Sequence, residues 1–240
     1  MEGKGRLEKP MPTDQAREVR EMFGRIAGRY DLMNFLMTGG RDRAWRRFLV
    51  RAAGVGPGSR VLDAGAGTGA VAALAARAAA GGKVVASDFT PGMIALGARR
   101  EKGLLWVRAD AMDLPFPTGA FDAVVSAYLV RNVTDREKAL SEMARVTRPG
   151  GRVACLDTSP PPPGPLTPLA RFHMKAVIPF LGRVVAGDPE AYRYLPETTQ
   201  AFLTPQALAA LFSRAGLVRV GFKPFALGTQ AVVWGEKPKK

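Results

Sequence analysis

From residue 60 onward, short apolar runs alternate with stretches whose apolar residues return every three or four positions. The runs at 60–64, 83–87, 104–109, 121–127 and 152–157 are too short for helices and read as buried strands. Between them, 70–80, 91–100 and 135–146 carry helical spacing, and a shorter connection follows Asp110. Such alternation predicts an α/β fold, parallel strands covered by helices on both faces. Pro149, Gly150 and Gly151 are expected to stop the third helix and turn the chain into the fifth strand. A last helix over 205–215 and two strands near 217–223 and 229–234 complete a seven-stranded, mostly parallel sheet with an antiparallel hairpin.

Ahead of the first strand, residues 1–13 lack periodicity and read as a flexible tail. From Asp14, placed to cap, Val19, Phe23, Ile26 and Tyr30 fall at helical spacing. A second amphipathic helix is expected from about 41 to 53, with Trp45, Phe48 and Leu49 inward and a basic face outward; a turn-rich hinge follows. After the fifth strand, four prolines at 160–163 break the alternation. The segment 160–200 is helical in tendency, interrupted by Pro168 and Pro179, and more apolar than a crossover needs. Phe172, Val177, Ile178, Phe180 and Leu181 make it an insertion covering a site. Residues 14–240 thus form a single domain, with N-terminal helices over 14–53.

Composition narrows the class. At 240 residues, 47% apolar and 23% charged, the chain is large enough to bury a full core. The one cysteine, Cys155, sits in an apolar strand and reads as a core residue; it excludes an internal disulfide framework and a cysteine-clustered zinc site, and no metal is expected. No leading stretch resembles a signal peptide, and no run of about 18 uncharged apolar residues exists, so a soluble cytoplasmic protein is expected. Net charge is +14, concentrated at the ends: 12 basic against 7 acidic residues in 1–51, and 6 against 1 in 201–240. An acidic surface or ligand belongs among the partners. Arg outnumbers Lys 25 to 10, with two Asn and four Gln, as in a heat-adapted source or a GC-rich genome.

The richest stretch is Val61-Leu62-Asp63-Ala64-Gly65-Ala66-Gly67-Thr68-Gly69, a strand running into alternate glycines and then a helix. Gly65, Gly67 and Gly69 let the backbone turn sharply and approach a ligand with no Cβ in the way. A dinucleotide fold uses a close variant, so the turn alone does not choose between ligands. Asp63, at the strand end, can accept from an amine or ordered water. Asp88 closes the second strand, where a carboxylate accepts both hydroxyls of a ribose. Asp110-Ala111, after the third, can receive an adenine amino group. Leu114-Pro115-Phe116-Pro117, Phe121-Asp122-Ala123-Val124-Val125-Ser126 and Arg148-Pro149-Gly150-Gly151 follow in order. That order resembles the Rossmann-like class I S-adenosylmethionine-dependent methyltransferases; Asp122 is structural in this reading.

More specific runs are Phe23-Gly24-Arg25-Ile26-Ala27-Gly28-Arg29-Tyr30-Asp31-Leu32-Met33-Asn34, Trp45-Arg46, Leu129-Val130-Arg131-Asn132-Val133-Thr134-Asp135 and Tyr192-Arg193-Tyr194-Leu195-Pro196-Glu197. Together, over about 17–215, they resemble the ubiquinone/menaquinone biosynthesis C-methyltransferases, and within them the demethylmenaquinone methyltransferases. The resemblance implies methyl transfer from S-adenosylmethionine to a ring carbon of a prenylated quinol. It puts cofactor contacts on Thr68, Asp88, Asp110 and Ala111. A family serine falls at Ala127 here, with Ser126 one place earlier taken as its stand-in. The C-terminal run Gly228-Thr229-Gln230-Ala231-Val232-Val233-Trp234-Gly235 also departs from the family's pattern.

For that chemistry, Arg131 is expected to stabilise the phenolate and Asn132 to orient it. Tyr30 and Asn34 reach in from the N-terminal helix, Asn34 counted with the cofactor-binding residues. His173, the only histidine, is open between general base and packing residue. A nucleic-acid methyltransferase would suit the charge, but Tyr128-Leu129-Val130-Arg131 stands where an Asn/Asp-Pro-Pro-aromatic motif belongs. A non-catalytic basic protein would not need the glycine turn with Asp63, Asp88 and Asp110. The expected partners are therefore the quinol and an anionic membrane surface, with no nucleic acid; naphthoquinol against benzoquinol and the oligomeric state, homodimer included, stay open.

Overall fold

Seven strands form one sheet: β1 (Arg60–Ala64), β2 (Lys83–Asp88), β3 (Leu105–Arg108), β4 (Phe121–Ala127), β5 (Thr147–Thr158), β6 (Val218–Phe225) and β7 (Gln230–Glu236). The computed structural model describes residues 29–165, 167–172 and 202–239, with positions 21, 22, 176, 177, 180 and 199. Strand order is β3-β2-β1-β4-β5-β7-β6. β1 to β5 run parallel, while β7 lies antiparallel to both β5 and β6. The helices given bounds among the described residues are α1 (Tyr30–Thr38), α2 (Asp42–Ala52), α3 (Ala70–Ala78), α4 (Pro91–Arg100), α5 (Arg136–Val146), α6 (Thr167–Phe172) and α7 (Pro205–Arg214).

Why the strands read as continuous apolar runs is now visible. Successive side chains alternate faces, and both faces are covered. Leu62, Val124, Val153, Cys155 and Val233 pack with Leu140 and Met143 of α5 and Leu208, Leu211 and Phe212 of α7. Their neighbours Val61, Val125, Ala154, Leu156 and Val232 pack with Trp45 and Leu49 of α2 and Val71, Ala72 and Ala75 of α3. Phe48 and Trp45 extend that layer onto Phe225, with Phe48 also edge-on to Trp234. The expected helices at 70–80, 91–100, 135–146 and 205–215 stand within two residues of the observed ones. Asp135 and Thr204 cap α5 and α7 by accepting from Lys138 and Ala207 N–H groups.

Two expectations change. Pro149-Gly150-Gly151 does not precede β5 but lies inside it: the strand begins at Thr147, paired with Phe121, and the register slips before Ala123 meets Arg152. The bulge absorbs the proline's missing N–H, and Gly151 is required because a Cβ there would stand 2.6 Å from the Asp122 carbonyl oxygen. At the N-terminal end, Tyr30 and Asn34, expected on the N-terminal helix, stand on an element of their own, α1, that opens at Tyr30. Leu32, Met33, Phe35, Leu36 and Met37 surround it with apolar side chains, so no single stripe marked it. Gly39, with φ of +58°, ends it. Most of 14–28 and of the expected insertion at 160–200 lies outside the described residues. Among the described residues no helix is long and apolar enough to cross a membrane.

Candidate active site at the carboxyl edge

Strand order reverses between β1 and β4, and a cavity of about 120 Å³ opens at their carboxyl ends. This is where open parallel sheets bind ligands, because the loops there diverge to opposite faces. Each of the first four strands contributes the residues that follow it: Gly65 and Gly67; Asp88, Phe89, Thr90 and Met93; Asp110, Ala111 and Met112; Tyr128, Leu129 and Asn132. Gly65 (φ +70°) admits the Leu129 side chain, which a Cβ would meet at 2.8 Å. A Cβ on Gly67 (φ +56°) would meet nothing within 4 Å, so the side on which a side chain would stand is open.

Asp88 ties this wall together. One carboxylate oxygen accepts from Gly67 N–H and the other from Thr90 N–H, both at 2.8 Å. Burial raises its pKa, while the Thr90, Gly67 and Phe89 amides work the other way. Asp110 accepts from Met112 N–H at 2.9 Å, which shapes the loop carrying Ala111.

Across the glycine turn lies a smaller cavity of about 30 Å³, lined by Asp31, Arg46, Asp63, Thr68 and Tyr128 among others. Asp63 is 1% exposed and neither carboxylate oxygen has a hydrogen-bond partner. Burial pushes its pKa up to about 7; the Asp88 charge adds to the rise, while the Ala72 amide and Arg46 oppose it. Arg46 is paired with Asp42 at 3.3 Å, its Nε buried without a partner. Thr68 Oγ1 donates to Asp31 at 2.9 Å, and Asp31 is paired with Arg100 at 2.7 Å, so α1 is latched onto the turn. Among the described residues that line this cavity, Asp31 and Arg46 are each ion-paired, and Asp63 is the carboxylate with no hydrogen-bond partner.

The loop after β4 carries the remaining candidates. Arg131 sits in a short 3-10 turn, Val130–Asn132, and is 8% exposed. Its backbone N–H and one guanidinium nitrogen donate to Asp157 of β5, at 3.2 and 2.5 Å. The guanidinium also lies 5.1 Å from the ring centroid of Tyr128. Tyr128 has φ of +61°, a strained left-handed backbone for an aromatic residue. It is held by its N–H on the Leu156 carbonyl and by Asn132 Nδ2 donating to its own carbonyl, both at 2.8 Å.

Residues 11–237 match the ubiE/COQ5 methyltransferase family. The chain belongs to this family. A ubiquinone/menaquinone biosynthesis C-methyltransferase of Desulfotalea psychrophila is 45% identical over 91% of this chain and 90% of its own. A demethylmenaquinone methyltransferase of Thermus thermophilus is 42% identical over 90% of this chain and all of its own. An S-adenosylmethionine-dependent methyltransferase structure from Thermotoga maritima superposes with a TM-score of 0.66 at 18% identity, covering 92% of this chain and 99% of that one, and shares the fold. The protein is an S-adenosylmethionine-dependent C-methyltransferase.

The structure brings together most of the residues singled out from sequence. Gly65, Gly67, Asp88, Asp110, Ala111 and Asn132 line the larger cavity of this methyltransferase; Asp63 and Thr68 line the smaller one, and Gly69 adjoins it at the start of α3. Three lie elsewhere. Ser126 is 1% exposed with its hydroxyl given to the Ala64 carbonyl, because it faces the β1 side of the sheet below the cavity. Arg131 lines neither cavity, since Asp157 takes its charge. Asn34 is buried on α1 and also lines neither, its Nδ2 unpartnered. The side chains of Tyr30 and His173 lie outside the described residues. Sequence reasoning missed Asp157, Tyr128, Asp31 and Arg46 as working residues. Arg46 left a usable trace, a charge on the inward side of an amphipathic helix with Asp42 one turn before it, and Asp31 another, within the run from Phe23 to Asn34. Cys155 is buried in the core and its thiol is pushed up by burial.

The buried acids give a pH signature. Asp63 is raised from 3.8 to about 7, so from pH 5 upward the unfolded chain has released a proton that the folded apoprotein still holds there, and Asp88 is raised in the same direction. The Asp63 contribution to stability is therefore lost as pH rises through about 7. Asp122 and Glu142, held low mainly by Arg60, Arg148 and Arg145, stay ionised from pH 5 upward. Calorimetry in a His173→Gln background, which removes the only imidazole, is expected to show apoprotein Tm falling from pH 5 to 8. The increment from saturating S-adenosylmethionine should grow over the same range; a flat increment would mean that Asp63 meets no cation.

Proposed function

We propose that the enzyme methylates a ring carbon of a prenylated quinol, converting demethylmenaquinol to menaquinol. What carries this reading is 42% identity over nine-tenths of the chain with a protein named demethylmenaquinone methyltransferase, beside 45% with one named for C-methylation in ubiquinone and menaquinone biosynthesis. The site fits the methyl donor on its own residues. The apolar slot of Phe89, Met93 and Leu129 suits an adenine, Asp88 a ribose, and the orphaned Asp63 an ammonium group, with Arg46 beside it for a carboxylate. S-adenosylmethionine, when bound, supplies an electrophilic methyl group.

The chain's own residues then align and exclude. A reduced, dihydroxy ring is nucleophilic at carbon once a hydroxyl loses its proton, and alignment of that carbon is the main demand on the protein. Asn132 lines the cavity where the acceptor would meet the donor and orients its oxygen. Arg131 works one step back. Paired with Asp157, it holds the 128–132 loop and supports Tyr128 in its strained conformation, in place of the direct phenolate contact expected from sequence. His173 stays the candidate for the phenolic proton on sequence grounds, and Tyr30 for a contact from α1. The enzyme works as a peripheral protein at the inner, anionic face of the membrane, its N-terminal basic side chains drawn there at up to about 1 kcal/mol each near the surface.

The test is a methyl-transfer assay with reduced demethylmenaquinone beside a demethylated benzoquinol, since the Desulfotalea relative is named for both pathways. Transfer to the naphthoquinol at the faster rate is expected. Transfer to neither would end the substrate assignment.

A further inference from the structure

Among the described residues, exposed large apolar side chains stand on α1, α6 and the turn between β6 and β7, besides Leu105, Val218 and Phe222 on the strands. On α1, Leu32, Phe35 and Leu36 are 51%, 43% and 38% exposed and share one face, opposite the buried Met33 and Asn34. That face looks outward because Asp31 latches the helix to the glycine turn. The turn Ala226–Gly228 between β6 and β7 lies at the carboxyl edge of the sheet, since Gln230 pairs with Thr158 at the end of β5. Leu227, at its tip, is 58% exposed. On α6, which follows β5, Leu169 and Phe172 are exposed by 61% and 62%.

Leu227 is the most telling. Ala226 and Leu227 both have positive φ, +49° and +56°, a conformation glycine adopts without strain. The turn is nevertheless fixed: Thr229 donates through its N–H and hydroxyl to the Ala226 carbonyl, and Gly228 packs against Pro162 so closely that a Cβ would meet its ring at 2.8 Å. A strained backbone thus presents a leucine to solvent where a glycine would be more stable. Among the described residues beside α1, Arg41, Arg43 and Arg47 of the α2 segment are exposed, with the Arg43 guanidinium 5.5 Å from the Phe35 ring centroid, while Asp42 is buried and Asp31 is tied to Arg100.

From this arrangement we infer that the carboxyl edge, with α1 and the Leu227 turn as its apolar prongs, docks on an anionic lipid bilayer. Apolar side chains enter the acyl boundary while the arginines stay at the headgroups. The mouth of the site then faces the membrane. This rests on the proposed reading that the acceptor carries a prenyl tail, which such docking would deliver without passage through water.

The experiment is co-sedimentation of the full chain with phosphatidylcholine vesicles with and without phosphatidylglycerol, none containing quinol. Binding to the anionic vesicles that weakens with salt is expected. Leu227→Gly should lower the partition coefficient about tenfold, as should a Phe35→Ser, Leu36→Ser pair. Leu227→Gly also relieves backbone strain, so its Tm should rise, which separates lost docking from lost folding. Wild-type-like binding by both variants, or no binding by the parent chain, would overturn the inference. So would a dimer in solution that the same substitutions dissociate, since a second copy would then cover the rim. Because the vesicles hold no acceptor, failure here leaves the quinol assay standing, and failure there leaves this one standing.

Discussion

Replacing Asp157 with alanine is expected to destabilise the fold by about 3–5 kcal/mol, the usual consequence of stranding one partner of a buried ion pair. Asp157 is 1% exposed and collects three donors: the Arg131 amide, the Arg131 guanidinium and, at 2.8 Å, the Thr158 amide. Without it the guanidinium remains in a place that water barely reaches. For a chain of this size the loss corresponds to a fall in Tm of about 10 °C or more. Arg131→Ala should do comparable damage by stranding the carboxylate.

The double substitution Arg131→Met, Asp157→Leu separates the pair's two roles. Removing both charges leaves neither unpaired, so most of the stability should return. Turnover should not return, because the loop's polar tie from position 131 to β5 and the guanidinium over the Tyr128 ring are both gone, and the cavity wall loses its set position. Cofactor affinity, carried mainly by the β1 and β2 loops, should fall much less than kcat. Melting curves, calorimetric titration with S-adenosylmethionine and kcat for the same three variants provide the check. Full recovery of turnover in the double variant would reduce the pair to packing.

The same pair marks where sequence reading stops. Five parallel strands and their helices were legible because each is a local pattern, and Asp63, Asp88 and Asp110 were legible because each sits at a fixed place after a strand. Arg131 was also found, but its environment was not. Its partner lies 26 residues away on β5, and that adjacency is a property of the β4–β5 pairing, not of either segment. Ser126 shows the converse: one position from the expected serine, it falls on the opposite face of a strand, and its hydroxyl goes to β1 instead of the cavity. That α1 is an element of its own was missed because apolar residues stand on more than one of its faces. The exposed half of them earns its explanation from the surface it presents, not from the core.

Asp88→Ala should weaken S-adenosylmethionine binding by about 100-fold, the largest effect expected of a single residue in the cavity. The estimate rests on two charge-assisted hydrogen bonds to ribose hydroxyls, at about 1.5–3 kcal/mol each, less what water restores. The carboxylate also holds Gly67 and Thr90 from opposite sides, so its loss frees the glycine turn that must approach the ligand. Asp88→Asn should be nearly as damaging. Its amide nitrogen cannot accept, so one of the two backbone N–H groups would face a donor at 2.8 Å and the wall would open. Burial works in the opposite direction on the apoprotein: removing a carboxyl whose pKa is raised relieves a desolvation penalty, and the Asn variant should lose little Tm without ligand. Titration calorimetry reads the affinity, and kcat at saturating cofactor should change less than tenfold, because the ribose lies away from the transferring methyl group. An unchanged dissociation constant would remove Asp88 from the ribose and move the cofactor's sugar to another wall of the cavity.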